Sequence, residues 1–343
     1  MKEAQKNLLI AFLVLSFAGF IVFFPFPFME NNQSDSVKVG FFPNITHSQA
    51  LIGKTTGKFE KVLGKKIEWK KFNAGSSEIE ALMAGEIDLG YIGPGPAING
   101  YAKTRGELQI IAGATDAGAV LVSRKDLIIT DIKQLSGRKI AIPQFGNTQD
   151  LALRYILKQN GLKDTTKGGT VEILQAANPD IKSLFAQKAI DAALVPEPWG
   201  SRLIKETGAN LLLDYNKIWR NGNYPSAVLI VRTEFLKKNP DLVKKFLKTH
   251  IELTNYINKH NKEAQKIVNI QIKELTGKSL TQDVIDSSFK RLKITNNPEK
   301  AAIKELIELS TETGFLKKKP DTGKLFNLDI LNDILKERHQ KID

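Results

Sequence analysis

Apolar and polar positions alternate from Val37 through Val39 to Phe41, and Pro43 stops the run, which predicts a short strand over Val37–Phe42. A polar turn, Asn44-Ile45-Thr46-His47-Ser48, leads into a helix-like stretch that reaches Ile52. Ile67 to Phe72 alternates again as a second strand. Asn73-Ala74-Gly75-Ser76-Ser77 then opens a helix, with Ser77 and Glu80 at capping-box spacing and Gly85 at its close. Ile87 to Ile92 is a third strand, ended by Gly93-Pro94-Gly95-Pro96. Strands alternating with helices predict an α/β fold with a largely parallel sheet.

The same pattern returns about a hundred positions later. Lys139-Ile140-Ala141-Ile142-Pro143 repeats the strand-then-proline form of Gly40 to Pro43, and its polar turn is Gln144 to Thr148, before a helix from Gln149 to Leu157. Ile190 to Val195, stopped by Pro196, matches the Ile87 strand and its proline-rich end. The letters differ while the architecture repeats, which predicts two α/β lobes on one plan. The apolar runs Gly118–Val122 and Ala227–Val231 read as paired connections between them. The expected division is lobe one over 37–122, lobe two over 123–225, and a return to lobe one with C-terminal helices over 226–343. Helical sequence begins at Asn239-Pro240-Asp241, with proline at a helix start.

One stretch fits neither lobe. Lys2 and Lys6 precede an uncharged run from Asn7 to Met29, rich in Leu, Ile, Val and Phe, which is long enough to span a bilayer as a helix. Cations before it and Glu30 and Asp35 after it predict an inside N-terminus and an outside body. Ser16-Phe17-Ala18 offers a signal-cleavage site, but cutting there leaves the apolar Gly19–Met29 on the mature chain. The expectation is therefore an uncleaved transmembrane anchor over 1–29 and a polar tether over 30–36, with the body on the outer face of the cytoplasmic membrane.

Composition narrows the chemistry. The absence of cysteine excludes disulfides, thiolate metal sites and cysteine nucleophiles. It also excludes a lipid-modified cysteine as the anchor. The net charge of +13 comes from dispersed Lys residues without interleaved aromatics or a nucleic-acid module, so a solvated helical face is expected and no nucleic-acid partner. The four His are scattered, which predicts no metal site and leaves His47 a surface or packing residue. Gly53-Lys54-Thr55 resembles the end of a phosphate-binding loop, yet Ser48 stands where its first glycine belongs. No cofactor is expected.

Ligands of open parallel sheets bind beyond the carboxyl ends of the strands. Here those ends carry small and polar residues: Asn44 to His47, Asn73 to Ser77, Gly93 to Gly95, Gln144 to Thr148, and Pro196 to Trp199. Small residues bring backbone N–H groups near a ligand, and helix N-termini favour an anion. Each residue also has a plainer use. Asn44, Asn147, Thr148 and Ser77 are good helix caps. Trp199 suits either a pocket wall or the lobe core, and Glu197 either a ligand amine or a pair with Arg202.

Five segments occur in order: Gly40-Phe41-Phe42-Pro43-Asn44-Ile45-Thr46-His47, Phe72-Asn73-Ala74-Gly75, Tyr91-Ile92-Gly93-Pro94, Gly146-Asn147-Thr148-Gln149-Asp150 and Pro196-Glu197-Pro198-Trp199. Together they resemble the substrate-binding proteins of ABC importers for aliphatic sulfonates, taurine and nitrate, a superfamily that also holds binders of thiamine-precursor pyrimidines. The resemblance runs from about Val37 to at least His250. It implies a type II periplasmic-binding fold whose two lobes close on a small-molecule ligand, with a permease and its ATPase as partners. It implies a ligand-contacting set of Asn44, Ser76, Ser77, Gly93, Gln144, Asn147, Thr148, Glu197 and Trp199. The uncleaved anchor and high basic charge depart from the commonest pattern of that family. Enzymes on this scaffold carry a cysteine-rich motif that this chain lacks, and a sensor would need more than Met1–Lys6 on the inner side, so capture and delivery of a solute is the expected function. A sulfonate or taurine-like anion leads, with nitrate, bicarbonate or a pyrimidine as alternatives.

Overall fold

The computed structural model describes residues 35–339. The expected anchor over 1–29, and the expected tether apart from its last two residues, lie outside the described residues. Among the described residues no helix is long and apolar enough to cross a membrane.

The chain opens with β1 (Ser36–Phe41), α1 (Ser48–Thr56), α2 (Lys58–Leu63), β2 (Lys66–Lys71), α3 (Gly75–Met83), β3 (Leu89–Ile92), α4 (Pro94–Thr104) and β4 (Leu108–Ala117). It then builds β5 (Ala119–Ser123), β6 (Lys139–Ile142), α5 (Thr148–Gln159), β7 (Glu172–Gln175), α6 (Ile181–Ala186), β8 (Ala192–Pro196), α7 (Trp199–Thr207), β9 (Asn210–Leu213) and α8 (Tyr215–Ile218). The last part holds β10 (Pro225–Arg232), α9 (Thr233–Lys238), α10 (Pro240–Lys259), α11 (Asn261–Thr276), α12 (Gln282–Lys290), β11 (Leu292–Ile294), α13 (Lys300–Glu312) and α14 (Asp329–Glu337).

The strands form two sheets, in the orders β11-β4-β10-β3-β1-β2 and β7-β6-β8-β5-β9. Both follow one scheme. Three parallel strands, β2-β1-β3 or β7-β6-β8, are joined by an antiparallel strand that has just arrived from the other sheet, β10 or β5. The pairs seen as a sequence echo, β1 with β6 and β3 with β8, occupy matching places in the two sheets.

The apolar runs read as connections are themselves β5 and β10, strands inside the sheets. Passage between sheets falls just before each. The first is a tight turn in which Ala117 and Gly118 both take positive φ (60° and 75°), a conformation glycine adopts without cost. The second is beside it, where the Ala117 N–H donates to the Tyr224 carbonyl at 2.8 Å. The two crossings therefore form one hydrogen-bonded pair of strands.

Burial follows residue periodicity. In α10 the buried positions Val243, Phe246, Leu247, His250, Ile251, Thr254 and Ile257 recur at steps of three and four and face the first sheet. Phe59 stacks on Phe246 there, with ring centroids 4.2 Å apart. A second cluster joins Leu82 of α3, Ile98 of α4, Leu151 of α5 and Ile307 of α13. A third packs Val120 and Val195 against Phe185 and Leu203 on the far side of the second sheet. Gly40 and Gly90 lie side by side on β1 and β3 under the buried Glu78 side chain, and a Cβ at either would collide with Glu78 Oε1.

Candidate functional site

Six strand ends meet in one crevice. From the first lobe come Asn44, Thr46 and His47 after β1, Asn73 to Gly75 after β2, and Gly93 after β3. From the second come Gln144 and Asn147 to Gln149 after β6, Asn178 after β7, and Pro196 at the end of β8. Ser226 of β10 closes the back. The free volume is about 50 Å³, room for a few water-sized atoms.

Three α-helices begin at this crevice: α3 at Gly75, α4 behind its N-cap Gly93, and α5 behind its N-cap Asn147. The first N–H groups of a helix have no partner within it, and the aligned peptide dipoles place partial positive charge there. Gly75 lets α3 start against the Pro96 ring, and Gly95 lets α4 approach the Asn147–Thr148 backbone of α5. Among the described residues no Lys, Arg, Asp or Glu lines the crevice. Its one titratable lining group is His47, whose burial lowers its pKa to about 3. The neutral ring stacks on Phe42 at 4.8 Å and accepts the Phe42 N–H on Nδ1 at 3.2 Å. Beneath α5, the buried Asp150 carboxylate accepts from the Gly146 N–H at 2.7 Å and pairs with Arg154 at 2.8 Å. Its burial raises the pKa, with the Arg154 charge opposing. Arg154 also pairs with Asp164, at 2.6 Å, so the carboxylates beneath α5 share one guanidinium.

The lobes touch across this site. Gln144 Nε2 donates to Ser76 Oγ at 2.6 Å, the Gly95 N–H donates to Thr148 Oγ1 at 3.3 Å, and Asn99 Nδ2 donates to the Gly146 carbonyl at 3.1 Å. On the other side Trp199 Nε1 donates to Asn44 Oδ1 at 3.0 Å.

Of the residues expected to contact a ligand, Asn44, Gly93, Gln144, Asn147 and Thr148 share the crevice. Asn147 also caps α5, its Oδ1 accepting from the Asp150 N–H at 2.8 Å, whereas Asn44 caps nothing and holds Trp199 instead. Ser76 stands at the rim, exposed and bonded to Gln144. The structure corrects the reading of Ser77: α3 starts two residues earlier, so Ser77 is in its first turn, exposed, and donates back to the Ala74 carbonyl at 2.9 Å. Trp199 walls a neighbouring chamber.

Glu197 is likewise relocated. Its buried carboxylate accepts from the Ser201 N–H and Oγ, each at 2.9 Å, from Ser288 Oγ at 3.1 Å and from Arg291 Nη1 at 3.1 Å, and it lies outside the crevice lining. Burial raises its pKa, and these donors oppose that. The expected partner Arg202 pairs with Glu206 instead, one helical turn on, at 2.9 Å. Arg291 stands just before β11 of the first sheet, so the pair ties the two lobes together behind the site.

Thr46 lay in a strand end the sequence singled out without being named as a contact, whereas nothing in the sequence pointed to Asn178 or Ser226. Asn178 follows β7, whose apolar Ile173 and Leu174 between Glu172 and Gln175 form a strand too short to stand out in the sequence. Ser226 reaches the site only because β10 pairs with β4 there, which nothing local to Ser226 indicates.

Two lobes of matched topology around a shared, donor-lined crevice define a two-lobed binding fold of the periplasmic type. The chain matches the NMT1-like family over residues 30–272 and belongs to it. It is 29% identical over 221 residues to the taurine-binding periplasmic protein of Escherichia coli, a stretch covering 64% of this chain and 66% of that one. Among solved structures, it is similar to the periplasmic aliphatic sulphonate binding protein of Escherichia coli (TM-score 0.69, 22% identity, covering 85% of this chain and 97% of that one). It is also similar to the periplasmic nitrate-binding protein of Synechocystis (TM-score 0.76, 18% identity, covering 89% of each).

Proposed function

We propose that the protein is the extracytoplasmic solute-binding component of an ABC importer, a binding protein and not an enzyme. On this reading it captures a small organic anion of the sulfonate or taurine type between its lobes and presents it to a permease with its ATPase. The observation that carries the reading is the convergence of three helix N-termini on a crevice that no carboxylate among the described residues lines. Such a site stabilises an oxyanion through backbone N–H groups and dipoles, with no fixed cation required. The names borne by its relatives agree with this chemistry.

Asn44, Gly93, Gln144, Asn147 and Thr148 are the proposed ligand contacts, with Ser76 and Trp199 at the two rims. The lobes, divided where the chain passes between the sheets rather than at 122 and 225, close about the paired crossings at Gly118 and Tyr224. Residues 1–29 hold the body on the outer face of the cytoplasmic membrane as an N-terminal anchor. The small volume of the crevice also favours a second reading, nitrate, which fills it without a tail.

Thermal unfolding of the full-length protein in detergent micelles separates these readings, because a ligand that binds the native state raises its melting temperature by mass action. Ethanesulfonate and taurine are expected to raise it and nucleotides to leave it unmoved; a rise with nitrate alone favours the second reading. The double variant Asn147→Ala/Thr148→Ala is expected to lose the shift while still melting cooperatively. Full retention of the shift in that variant removes the crevice as the binding site.

A further inference from the structure

Beyond the Trp199–Asn44 bond lies a chamber of about 410 Å³, far larger than the crevice. The two volumes share Phe42, Asn44, Asn73 and Asn178 and meet at those residues. A crevice with room for a few water-sized atoms holds a head group and little else. Any further part of a solute must leave it, and this chamber is larger than the space on the opposite rim. That space, on the Gln144–Ser76 side, is about 210 Å³, with Met83, Phe145 and Phe315 in its wall and one charge of each sign, Lys103 and Glu80.

The larger chamber differs in charge. Lys71, Arg202 and Lys278 line it, and no carboxylate does. Arg202 lies over the Trp199 ring at 4.9 Å and is already paired with Glu206. Lys71 and Lys278 are exposed, and the Lys71 ammonium has only the Leu275 carbonyl, at 3.4 Å, as a hydrogen-bond partner among the described residues. Phe72 and Trp199 give the chamber flat apolar walls. Such walls suit an aromatic ring, and an anion at its far end meets two lysines with no acid in the chamber lining.

We propose that this chamber is a second ligand subsite and that the solute carries two acidic groups. The oxyanion head would sit in the crevice, and a carboxylate, on an aromatic or short spacer, would lie between Lys71 and Lys278. The proposal rests on the oxyanion reading of the crevice. To admit the spacer, the Trp199 indole swings off Asn44.

Calorimetric titration of the full-length protein in micelles with 4-sulfobenzoate, benzenesulfonate and ethanesulfonate tests it. The expected result is a preference for 4-sulfobenzoate over benzenesulfonate of about tenfold at low salt, shrinking as salt screens the lysines. In Lys71→Gln/Lys278→Gln the ratio is expected to fall close to parity, and in Lys71→Glu/Lys278→Glu to invert. Equal affinity for the two aryl sulfonates, or a preference that survives both double variants, overturns the subsite while leaving the crevice reading standing. Failure of all three sulfonates to bind overturns both.

Discussion

Asp116 sits on β4 one residue before the crossing turn, buried, with neither carboxylate oxygen hydrogen-bonded. Burial pushes its pKa from an ordinary 3.8 up to about 8, the Glu299 charge adds to the rise, and Lys293 opposes it. Between those two values the folded protein keeps a proton that the unfolded chain releases. Its contribution to stability is therefore complete below about pH 4 and is lost as pH rises through 8. The histidines act in the opposite sense. His47 and His250 are held at about 3 and about 4 by burial, so their contribution is present above 6.5 and lost as pH falls below it. Asp116→Asn is expected to flatten the alkaline side of the stability curve, raising the melting temperature at pH 8 by several degrees relative to the parent while the acid side stays unchanged. Equal melting temperatures of variant and parent at pH 5 and at pH 8 would mean that Asp116 is ionised and partnered in the native state.

At the scale of elements, the packing of α3 on its sheet depends on glycine at positions 40 and 90. Glu78 is fully buried, its pKa raised well above the ordinary value by desolvation, and it lies against both glycines with no hydrogen-bond partner for either oxygen. Gly90→Ala is expected to cost about 1–3 kcal/mol through overpacking. Glu78→Ala should relieve that cost, so denaturant titration of the double variant is expected to show strong non-additivity. Additive single effects would place the collision elsewhere. The elements themselves were largely legible in the sequence. Val37–Phe42, Ile67–Phe72, Ile87–Ile92, Lys139–Ile142 and Ile190–Val195 carry period-two or continuous apolar patterns with proline or glycine stops, and each overlaps an observed strand, within three residues at either end. Where that reading failed, the reason was non-local. The start of α3 is fixed by Gly75 meeting Pro96 of another helix, which overrides the capping signal at Ser77. The fate of Glu197 is decided by Arg291, ninety-four positions away, and the membership of β5 and β10 by pairing partners no local window contains.

For the whole molecule, the two sheets repeat one topology and the crossings lie side by side, so the proposed closure requires only a small change at Ala117–Gly118 and Tyr224. The lobes are in contact in this structure through Gln144–Ser76 and Trp199–Asn44 at opposite rims. These bonds exist only while the lobes meet, so they favour closure. A small solute such as ethanesulfonate, which leaves Trp199 on Asn44, gains from every bond that populates the closed form it binds. Asn44→Ala/Gln144→Ala is expected to raise the radius of gyration seen by small-angle scattering without ligand and to speed ligand release several-fold. An unchanged scattering profile together with unchanged release kinetics would show that the rims do not govern closure.

The most direct test of an oxyanion held by helix N-termini is a crystal structure grown with ethanesulfonate. Sulfonate oxygens are expected about 2.7–3.2 Å from backbone N–H groups at the starts of α3 and α5, between the two lobes. A sulfonate found instead on surface lysines, with the crevice between Asn44 and Asn147 holding only water, would contradict the account.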